Sequence, residues 1–334
     1  MARKTVASGK RALKGLPMPD LAELDRHPEA ARIRSRRLSG EIASLVVDAT
    51  GLDEAGQKAL EQGLRESALA IPGVAEARVA LTAAKRGRTL VAIGSGKGGV
   101  GKSTLAANLA VALARMGKKI GLIDADIYGP SQPRLFNARQ RAEARDKQLI
   151  PIEAHGLKLL SVGQLVAEGT ALAWRGPMAS GALNQLLEAD WGDAEILIVD
   201  LPPGTGDVQL SLIQKARPTA AVIVSTPQDL SLIDAARAVD LFEKTHVPVA
   251  GIIENMAGYE CPHCGQPSDP FGHGGAEAEA KRLGIAFLGR LPLSAGLREA
   301  SDAGEPPAAG DGPAAEAFAG LARKLLVQLE TIAG

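Results

Sequence analysis

The most informative part of this chain is the stretch Thr89-Leu-Val-Ala-Ile-Gly-Ser-Gly-Lys-Gly-Gly-Val-Gly-Lys-Ser-Thr104. Within it, Gly96–Ser103 fits the pattern G-x-x-x-x-G-K-[ST]. Leu90–Ile93 predicts a short apolar strand before the loop, and Ser103–Met116 predicts a helix after it. A glycine-rich loop with this spacing between a strand and a helix is the setting in which such a loop binds phosphate. The stretch therefore predicts a nucleotide site.

Each part of this loop has its own chemical reason. Glycines let the backbone approach phosphate oxygens and turn its N–H groups inward, and the following helix adds the positive end of its dipole. Lys102 can reach the β- and γ-phosphates, the Ser103 hydroxyl can bind magnesium, and Thr104 can bond an α-phosphate. The predicted contacts in the loop are Gly96, Lys97, Gly98, Gly99, Val100, Gly101, Lys102, Ser103 and Thr104.

A second lysine, Lys97, directly follows the first glycine, although the general motif does not require it. A flexible cation among small residues beside phosphates favours a catalytic role. Lys97 can also serve the nucleotide of a neighbouring subunit, because only one lysine is needed at the start of the helix.

Carboxylates follow two of the predicted strands. Ile196–Val199 leads into Asp200, the usual position for an aspartate that holds magnesium through water. Gly204, in the segment after it, can bring its N–H to the γ-phosphate. Asp124 and Asp126 follow the strand next to the loop, and one of them can orient or deprotonate the attacking water. A lone aspartate at a strand end often only caps a helix, but several beside a phosphate loop favour catalysis.

The rest of the chain from residue 90 alternates apolar strands with helices. Further strands are predicted at Leu157–Val162, Ala220–Ser225, Val249–Ile253 and Ile285–Leu291, and helices at Ser180–Glu188, Leu230–Thr245 and Pro313–Glu330. Strands that are apolar throughout are typical of a parallel sheet covered on both faces. The predicted fold class is α/β, with a P-loop NTPase domain over 90–334 whose mostly parallel sheet is flanked by helices.

Two smaller segments precede this domain. Residues 1–38 are rich in Arg, Lys, Ala and Pro and predict a basic tail, flexible or partly helical. Residues 39–84 predict a small α+β unit, with strands at Ile42–Val47 and Ala77–Leu81 and a helix at Asp53–Ala70. Residues 85–89 are predicted to be a short basic linker.

The composition excludes several classes of protein. Of the 334 residues, 46% are hydrophobic, so wholesale disorder is excluded. Lys plus Arg and Asp plus Glu both number 38, and a chain without net charge is not built for general attraction to nucleic acid. No apolar run approaches the roughly 18 residues that cross a bilayer, and the basic start lacks the apolar stretch of a secretory signal. We expect a cytoplasmic protein with no membrane or nucleic-acid partner.

The two cysteines of the chain form the pair Cys261-Pro-His-Cys264. So few cysteines favour free thiols in a reducing compartment. Zinc and iron–sulfur clusters usually take four protein ligands. Three interpretations follow: a redox pair, a zinc site completed by His263 or His273, or half of a site shared by two chains. The Gly, Pro, Asn and Asp around the pair indicate a loop, whereas a redox pair normally lies where a strand meets a helix.

On these residues, the loop over 94–104 resembles the deviant Walker A loop of the MinD/ParA class, with Lys97 as its additional lysine. Within that class, the chain from about 90 to 329 resembles the Mrp-type iron–sulfur cluster carrier ATPases. The stretches that carry this resemblance are Asp124-Ala-Asp-Ile-Tyr-Gly-Pro-Ser131, Trp174-Arg-Gly-Pro-Met178, Asp200-Leu-Pro-Pro-Gly-Thr-Gly-Asp207, Glu254-Asn-Met256 and Cys261-Pro-His-Cys264.

The resemblance implies a homodimer with two ATP sites near its interface. Lys97 of each chain would reach toward the nucleotide of the other chain. Asp126 would help to position the hydrolytic water, Asp200 would support Mg²⁺, and Asn255 would contact the adenine. The implied enzyme is an ATP hydrolase.

The resemblance also implies that Cys261 and Cys264 bind a labile [4Fe–4S] cluster between the subunits. The cysteine count agrees, because two thiolates per chain, doubled by a two-fold axis, supply four ligands. The implied function is an ATP-dependent carrier that works with cluster-assembly scaffold proteins and apo iron–sulfur proteins. The N-terminal unit departs from the family, since only residues 39–83 look similar and they contain no cysteine. The alternatives are a MinD/ParA-like spatial organiser that binds membrane or DNA, and an ATPase with structural zinc.

Overall fold

The computed structural model describes residues 20–49, 52, 54–82, 88–145, 148–165, 176–261 and 263–333. The chain divides into two units, Met1–Gly87 and Arg88–Gly334. No helix in the described part of the chain combines the length and the apolar character needed to cross a bilayer.

The smaller unit is a three-stranded sheet packed against one helix. Its elements are strands β1 (Ile33–Ser39), β2 (Ile42–Asp48) and β3 (Glu76–Thr82) and helix α1 (Glu54–Leu69), preceded by short 3-10 helices at Leu21–Arg26 and Ala30–Arg32. β1 pairs antiparallel with β2, and β2 pairs parallel with β3. Leu45 of β2 and Leu64 of α1 are fully buried in a shared core, so the helix covers one face of the sheet.

The structure differs from the predicted basic tail over residues 1–38. Residues 33–38 belong to strand β1, and Leu24 is buried in the core of the smaller unit. The basic residues of β1 face solvent, where Arg34 pairs with Asp48 at 2.5 Å. Because its exposed residues are arginines, this edge strand was not recognised in the sequence. Its register is set by its pairing with β2. Residues 1–19 of the predicted tail and 85–87 of the predicted linker lie outside the described residues.

The larger unit contains the remaining elements. Its strands are β4 (Thr89–Gly94), β5 (Ile120–Asp124), β6 (Glu143–Arg145), β7 (Gln148–Ile150), β8 (Ile152–Ala154), β9 (Leu157–Ser161), β10 (Ile196–Asp200), β11 (Ala220–Ser225), β12 (Val249–Glu254), β13 (Tyr259–Glu260), β14 (Pro267–Ser268) and β15 (Phe287–Arg290). Its helices are α2 (Lys102–Arg115), α3 (Gln132–Leu135), α4 (Gly176–Leu187), α5 (Asp207–Ala216), α6 (Asp229–Lys244), α7 (Gly275–Leu283), α8 (Ala295–Ala303) and α9 (Pro313–Ala333), with 3-10 helices at Val162–Gln164 and Pro307–Ala309.

An eight-stranded sheet organises this unit, in the order β15-β12-β11-β4-β10-β5-β9-β8. All neighbouring strands are parallel except β8 and β9. The strand that precedes the phosphate loop, β4, therefore lies inside the sheet between β11 and β10. In a parallel sheet the carboxyl ends of the strands meet at one edge, so the loops after β4, β5, β10 and β12 share that edge. The predicted α/β class is confirmed.

Two hydrophobic cores lie on opposite faces of this sheet. Side chains of successive strand residues alternate between faces, so Val91 and Ile93 of β4 join one core while Ala92 joins the other. Helices α2 and α9 cover the first face, and α4, α5, α6 and α7 cover the second. The chain buries mostly small aliphatic residues, as its low aromatic content requires. The rigid layers hold the carboxyl edge of the sheet in place.

Candidate nucleotide site and cysteine hairpin

The phosphate loop is shaped by glycines that no other residue could replace. Gly101 precedes helix α2 with φ 81°, and a Cβ there would collide with the side chain of Asn255. A Cβ on Gly96 would collide with the carbonyl oxygen of Asp234 in helix α6. The loop therefore packs closely against helix α6 and against the segment that contains Asn255, and these contacts fix its path before α2. This is the cradle that a nucleotide phosphate requires.

Lys102, Ser103, Asp126 and Asp200 come together at the carboxyl edge of the sheet, as the sequence predicts. The Lys102 ammonium bonds a carboxylate oxygen of Asp200 and lies 3.9 Å from Oδ2 of Asp126. Its Nζ is also 3.3 Å from Oγ of Ser103. Because Lys102 is only 5% exposed, its charge depends on these carboxylates for compensation. The site has one buried cation facing two acidic groups.

Gln132, the first residue of α3, joins the loop to the carboxylate and was missed by the sequence analysis. Its Nε2 donates to the carbonyl oxygen of Ser103 at 2.9 Å and to Oδ2 of Asp200 at 2.9 Å. The side chain is fully buried. A glutamine after a Gly-Pro-Ser turn carries no recognised signal, because its partners come from distant parts of the chain.

The two aspartates after β5 have different environments. Asp124 is fully buried, and its Oδ2 accepts bonds from Ser161 Oγ at 2.9 Å and from the Gln132 backbone N–H at 3.0 Å. Burial, followed by the charge of Asp200, raises the pKa of Asp124 to about 7. Asp124 is thus held inside the fold by its hydrogen bonds. Ser161, at the end of β9, is a second residue that the sequence analysis missed.

Asp126 faces the lysine instead. Its Oδ1 accepts from the backbone N–H groups of Tyr128 and Gly129 at 3.1 and 3.3 Å, which leaves Oδ2 toward Lys102. Of the two aspartates that the sequence offered as a base, Asp126 is the one with an oxygen directed to the cluster around Lys102. Tyr128 itself is exposed.

The segment after β10 lies against the phosphate loop. The Gly204 N–H donates to the carbonyl oxygen of Ser95 at 2.9 Å, and a Cβ on Gly98 would lie 3.8 Å from Pro203. Gly204 has φ 99°, a conformation that favours glycine. In this structure the N–H predicted to face the γ-phosphate is therefore bonded to the residue before the loop instead.

Four further predicted contacts line the same loop. Asn255 donates from Nδ2 to the Val100 carbonyl oxygen at 2.8 Å, so its amide is bonded to the loop backbone. Lys97 is half-buried, and its carbonyl oxygen accepts from Ser95 Oγ at 2.9 Å. Thr104 is half-buried in the first turn of α2. Gly99 lies on the exposed side of the loop.

The chemistry of these donors fits a nucleotide with Mg²⁺. Magnesium prefers oxygen ligands and retains several waters. A hydroxyl, Ser103 Oγ, and a buried carboxylate, Asp200, both lie within hydrogen-bond distance of the Lys102 ammonium. Ser103 can bind the ion directly and Asp200 through water.

The cysteines lie on a separate hairpin, residues 259–268, formed by β13 and β14. Its closing bonds run from Cys261 N–H to the Gln266 carbonyl at 3.1 Å and from Gly265 N–H to the Cys261 carbonyl at 2.8 Å. Both thiols are free; Cys261 is half-buried and Cys264 is exposed. The backbone N–H groups of His263 and Cys264 lower the pKa of Cys261. A lowered pKa favours the thiolate, which is the form that binds metal.

The histidines beside this hairpin do not complete a metal site with it. His273 Nδ1 is 3.0 Å from Asp269 Oδ2, and His263 is exposed. Among the residues that the structure describes, no group of three or more His, Cys, Asp and Glu is placed to hold a metal. Within one chain, the described residues therefore offer a pair of sulfur ligands.

Comparison with known proteins agrees with this geometry. Residues 87–326 match the family model described as ParA, NUBPL iron-transfer P-loop NTPase. The iron-sulfur cluster carrier protein of Deinococcus radiodurans is 44% identical over 313 residues, which is 89% of this chain and 88% of that protein. Its counterpart in Pseudomonas fragi is 50% identical over 228 residues, 67% of this chain and 79% of that protein.

Solved structures show the same fold. The nucleotide-binding protein of Archaeoglobus fulgidus in complex with ADP is 40% identical with a TM-score of 0.58, covering 65% of this chain and 87% of that one. The MinC:MinD complex of Aquifex aeolicus matches at 25% identity and a TM-score of 0.55, covering 72% and 96%. With its family model and its relatives, the chain belongs to the ParA family of P-loop NTPases, among the iron–sulfur cluster carriers.

Proposed function

We propose that this protein is an ATP-dependent carrier that binds a [4Fe–4S] cluster between the two chains of a homodimer and transfers it to apoproteins. The observation that carries the proposal is a physical link within one domain. Asn255 bonds the phosphate loop at Val100, and the same segment continues directly into the hairpin with Cys261 and Cys264. A nucleotide that shifts the loop would therefore act on the segment that bears the thiols.

Phosphoryl transfer depends on positioning and on charge stabilisation more than on covalent help from the protein. Lys102, now bonded to Asp200, binds the β- and γ-phosphates when they enter the cradle. Ser103 directly, and Asp200 through water, would hold Mg²⁺, which would neutralise phosphate charge. Asp126 orients the attacking water from its place beside Lys102.

The proposed dimer completes this site. Lys97 from the partner chain reaches the phosphates and stabilises the charge that develops during hydrolysis. When nucleotide binds, the Gly204 N–H exchanges its bond to the Ser95 carbonyl oxygen for one to the γ-phosphate, and it moves back with the segment after β10 when that phosphate leaves. Asn255 contacts the adenine of the nucleotide. The arrangement of the two chains within the dimer therefore depends on which nucleotide is bound.

The cluster is the cargo. Two chains provide four thiolates, the number that a cubane cluster takes. The lowered pKa of Cys261 supports binding, and the exposure of Cys264 leaves the cargo open to the thiols of an acceptor protein. Scaffold proteins of cluster assembly supply the cluster, and apo iron–sulfur proteins receive it.

The proposal is tested with Cys261→Ala and Cys264→Ala after anaerobic reconstitution with iron and sulfide. We expect each variant to lose bound iron and sulfide while its nucleotide affinity stays within about twofold of wild type, because the hairpin adds no group to the phosphate cradle. The matched control is Lys102→Ala, which should lose nucleotide affinity and keep its iron. Loss of both properties together in the cysteine variants would contradict separate sites.

The same samples discriminate the alternatives. Equimolar zinc without visible absorbance would support a structural zinc site. ATP-dependent co-sedimentation with liposomes or DNA would support a spatial organiser. A full set of iron and sulfide on a protein whose mass shows a monomer would refute the shared cluster.

A further inference from the structure

The carboxamide of Gln132 has a fixed orientation in the nucleotide site. Its Nε2 donates to two acceptors, the carbonyl oxygen of Ser103 and Oδ2 of Asp200, each at 2.9 Å. Both partners accept and neither can donate, so the nitrogen must face them. The backbone N–H of Gln132 donates to Asp124 at 3.0 Å, which anchors the start of helix α3 as well.

The other end of this carboxamide lacks a partner. Oε1 of Gln132 is buried and accepts no hydrogen bond from the described residues. A buried carbonyl oxygen left without a donor is destabilising, and such atoms are uncommon in folded proteins. Because Oε1 and Nε2 are bonded to the same carbon, the oxygen lies beside the nitrogen that contacts the Ser103 carbonyl oxygen and Asp200. These are the two residues that the chain offers to Mg²⁺.

We infer that Gln132 is a positioning residue for hydrated Mg²⁺, whose Oε1 accepts a hydrogen bond from a magnesium-bound water. This inference rests on the proposed nucleotide chemistry and adds a contact to it. Magnesium keeps several of its waters in protein sites, and those waters are strong donors. Nε2 at the same time turns the Asp200 carboxylate toward that hydration shell. The magnesium-bound water would thus give Oε1 its missing donor, while Nε2 of the same side chain orients the Asp200 carboxylate.

The position of Gln132 in the chain gives this contact a second consequence. Gln132 directly follows the segment 126–131, which begins with Asp126. Through its backbone bond to Asp124 and its side-chain bonds to Ser103 and Asp200, it ties that segment to the metal side of the site. Loading of Mg²⁺ therefore steadies the segment that carries the water-orienting carboxylate.

The test is the Mg²⁺ dependence of nucleotide affinity in Gln132→Met, which keeps the length of the side chain and removes both polar groups. Affinity for a fluorescent ADP is measured with excess Mg²⁺ and with EDTA. We expect the affinity in EDTA to stay within about twofold of wild type, and the gain produced by Mg²⁺ to fall about fivefold to tenfold, the effect of one lost hydrogen bond.

The matched control is Gln164→Met. Gln164 is only 2% exposed, and its amide is fully bonded, to the Ala138 carbonyl at 2.8 Å and the Ser161 N–H at 2.9 Å. It should lower thermal stability and leave the gain from Mg²⁺ unchanged. If Gln132→Met does not fold, Gln132→Asn, which retracts the amide by one methylene, should show the same reduced gain.

Two outcomes overturn the inference. An unchanged gain from Mg²⁺ in a folded Gln132 variant shows that Oε1 does not contact the hydration shell. An equal loss of affinity with Mg²⁺ and with EDTA shows that Gln132 only supports the loop. Absence of nucleotide binding by the wild-type protein would instead be a failure of the proposed function, so the two failures are distinguishable.

Discussion

Asp124 and Asp200 are two buried carboxyl groups that influence each other inside the nucleotide site. Both side chains have no exposed surface. Asp200 has the Lys102 ammonium as its partner, whereas Asp124 is held by neutral donors, Ser161 and the Gln132 backbone. Burial and the Asp200 charge raise the pKa of Asp124 to about 7. Just below pH 7, the folded protein therefore keeps a proton on Asp124 that the unfolded chain does not hold.

This difference predicts a pH-dependent stability. An aspartate in the unfolded chain ionises near pH 3.9, so the folded protein holds an extra proton on Asp124 between about pH 4 and pH 7. The stabilisation from this carboxyl group is complete below that range and is lost as the pH rises to about 7. We expect the unfolding free energy of wild type, relative to Asp124→Asn, to fall by about 2 kcal/mol between pH 5.5 and pH 8.

Urea unfolding at the two pH values, followed by tryptophan fluorescence, measures this change. Both tryptophans of the chain, Trp174 and Trp191, belong to the larger unit, so the signal reports that unit. Asp311→Asn is the control, because the Asp311 side chain is 93% exposed. Its effect on the unfolding free energy should be the same at both pH values. A constant difference for Asp124→Asn would contradict the raised pKa.

The sequence predicts the residues of this site that obey a local rule. Lys102 and Ser103 follow from the spacing of the loop, and Asp200 follows from its place at the end of an apolar strand. Gln132 and Ser161 obey no such rule, because their roles come from side chains brought together by the sheet order β10-β5-β9. Contacts of this kind exist only after the strands are ordered.

Among the elements, the cysteine hairpin is held at its base by Glu254, the last residue of β12. The Glu254 carboxylate is fully buried and accepts the backbone N–H groups of Gly274 at 2.9 Å and Ala276 at 2.7 Å. These N–H groups belong to the start of helix α7, where a negative charge is stabilising. The segment between β12 and α7, which carries residues 259–268, therefore begins at Glu254 and is bonded back to its carboxylate where α7 starts.

Glu254→Gln is expected to loosen this base, because an amide can accept at only one of the two N–H groups and carries no charge. Amide hydrogen exchange at Gly274 and Ala276 should become about tenfold faster, the effect of losing one charge-assisted hydrogen bond. Exchange is measured by mass spectrometry, with Glu279→Gln, whose carboxylate pairs with Arg282 on the same helix, as the control. Equal protection in both variants would show that Glu254 does not hold the hairpin.

The elements were predictable where their apolar pattern was continuous. Strands β4, β10 and β11 match their predicted ranges within a residue or two, since they are buried on both faces. The short strands β6, β7, β13 and β14 were missed, because two or three partly polar residues carry no period. The sheet pairing that stabilises them is long-range.

In the whole molecule, the proposed dimer would complete both the nucleotide site and the thiol pair. One chain offers two cysteines where a cubane cluster takes four ligands. In the proposed dimer, one chain also offers the phosphate cradle while its partner offers Lys97. A two-fold axis would supply both sets of residues, because it places the same surface of a second chain opposite the first. Dimerisation would then complete the site for ATP hydrolysis and the site for the cluster at the same time.

Sharing of Lys97 between chains predicts rescue by mixing. Lys97→Ala retains its own cradle but gives its partner no lysine, and Lys102→Ala cannot hold nucleotide but still supplies Lys97. Each variant alone should be nearly inactive. After subunit exchange, an equal mixture should recover about one quarter of the wild-type ATPase rate, because half of the randomly paired dimers contain one complete site of two.

Steady-state phosphate release measures the recovery, and co-purification of differently tagged chains verifies that subunits have exchanged. The control mixes Lys97→Ala with the double variant Lys97→Ala/Lys102→Ala, in which neither chain can supply Lys97, and it should show no recovery. If Lys97 acts on the nucleotide of its own chain, no mixed dimer has a complete site, and the first mixture stays as inactive as the control. Recovery confined to the first mixture therefore requires that the lysine cross the interface.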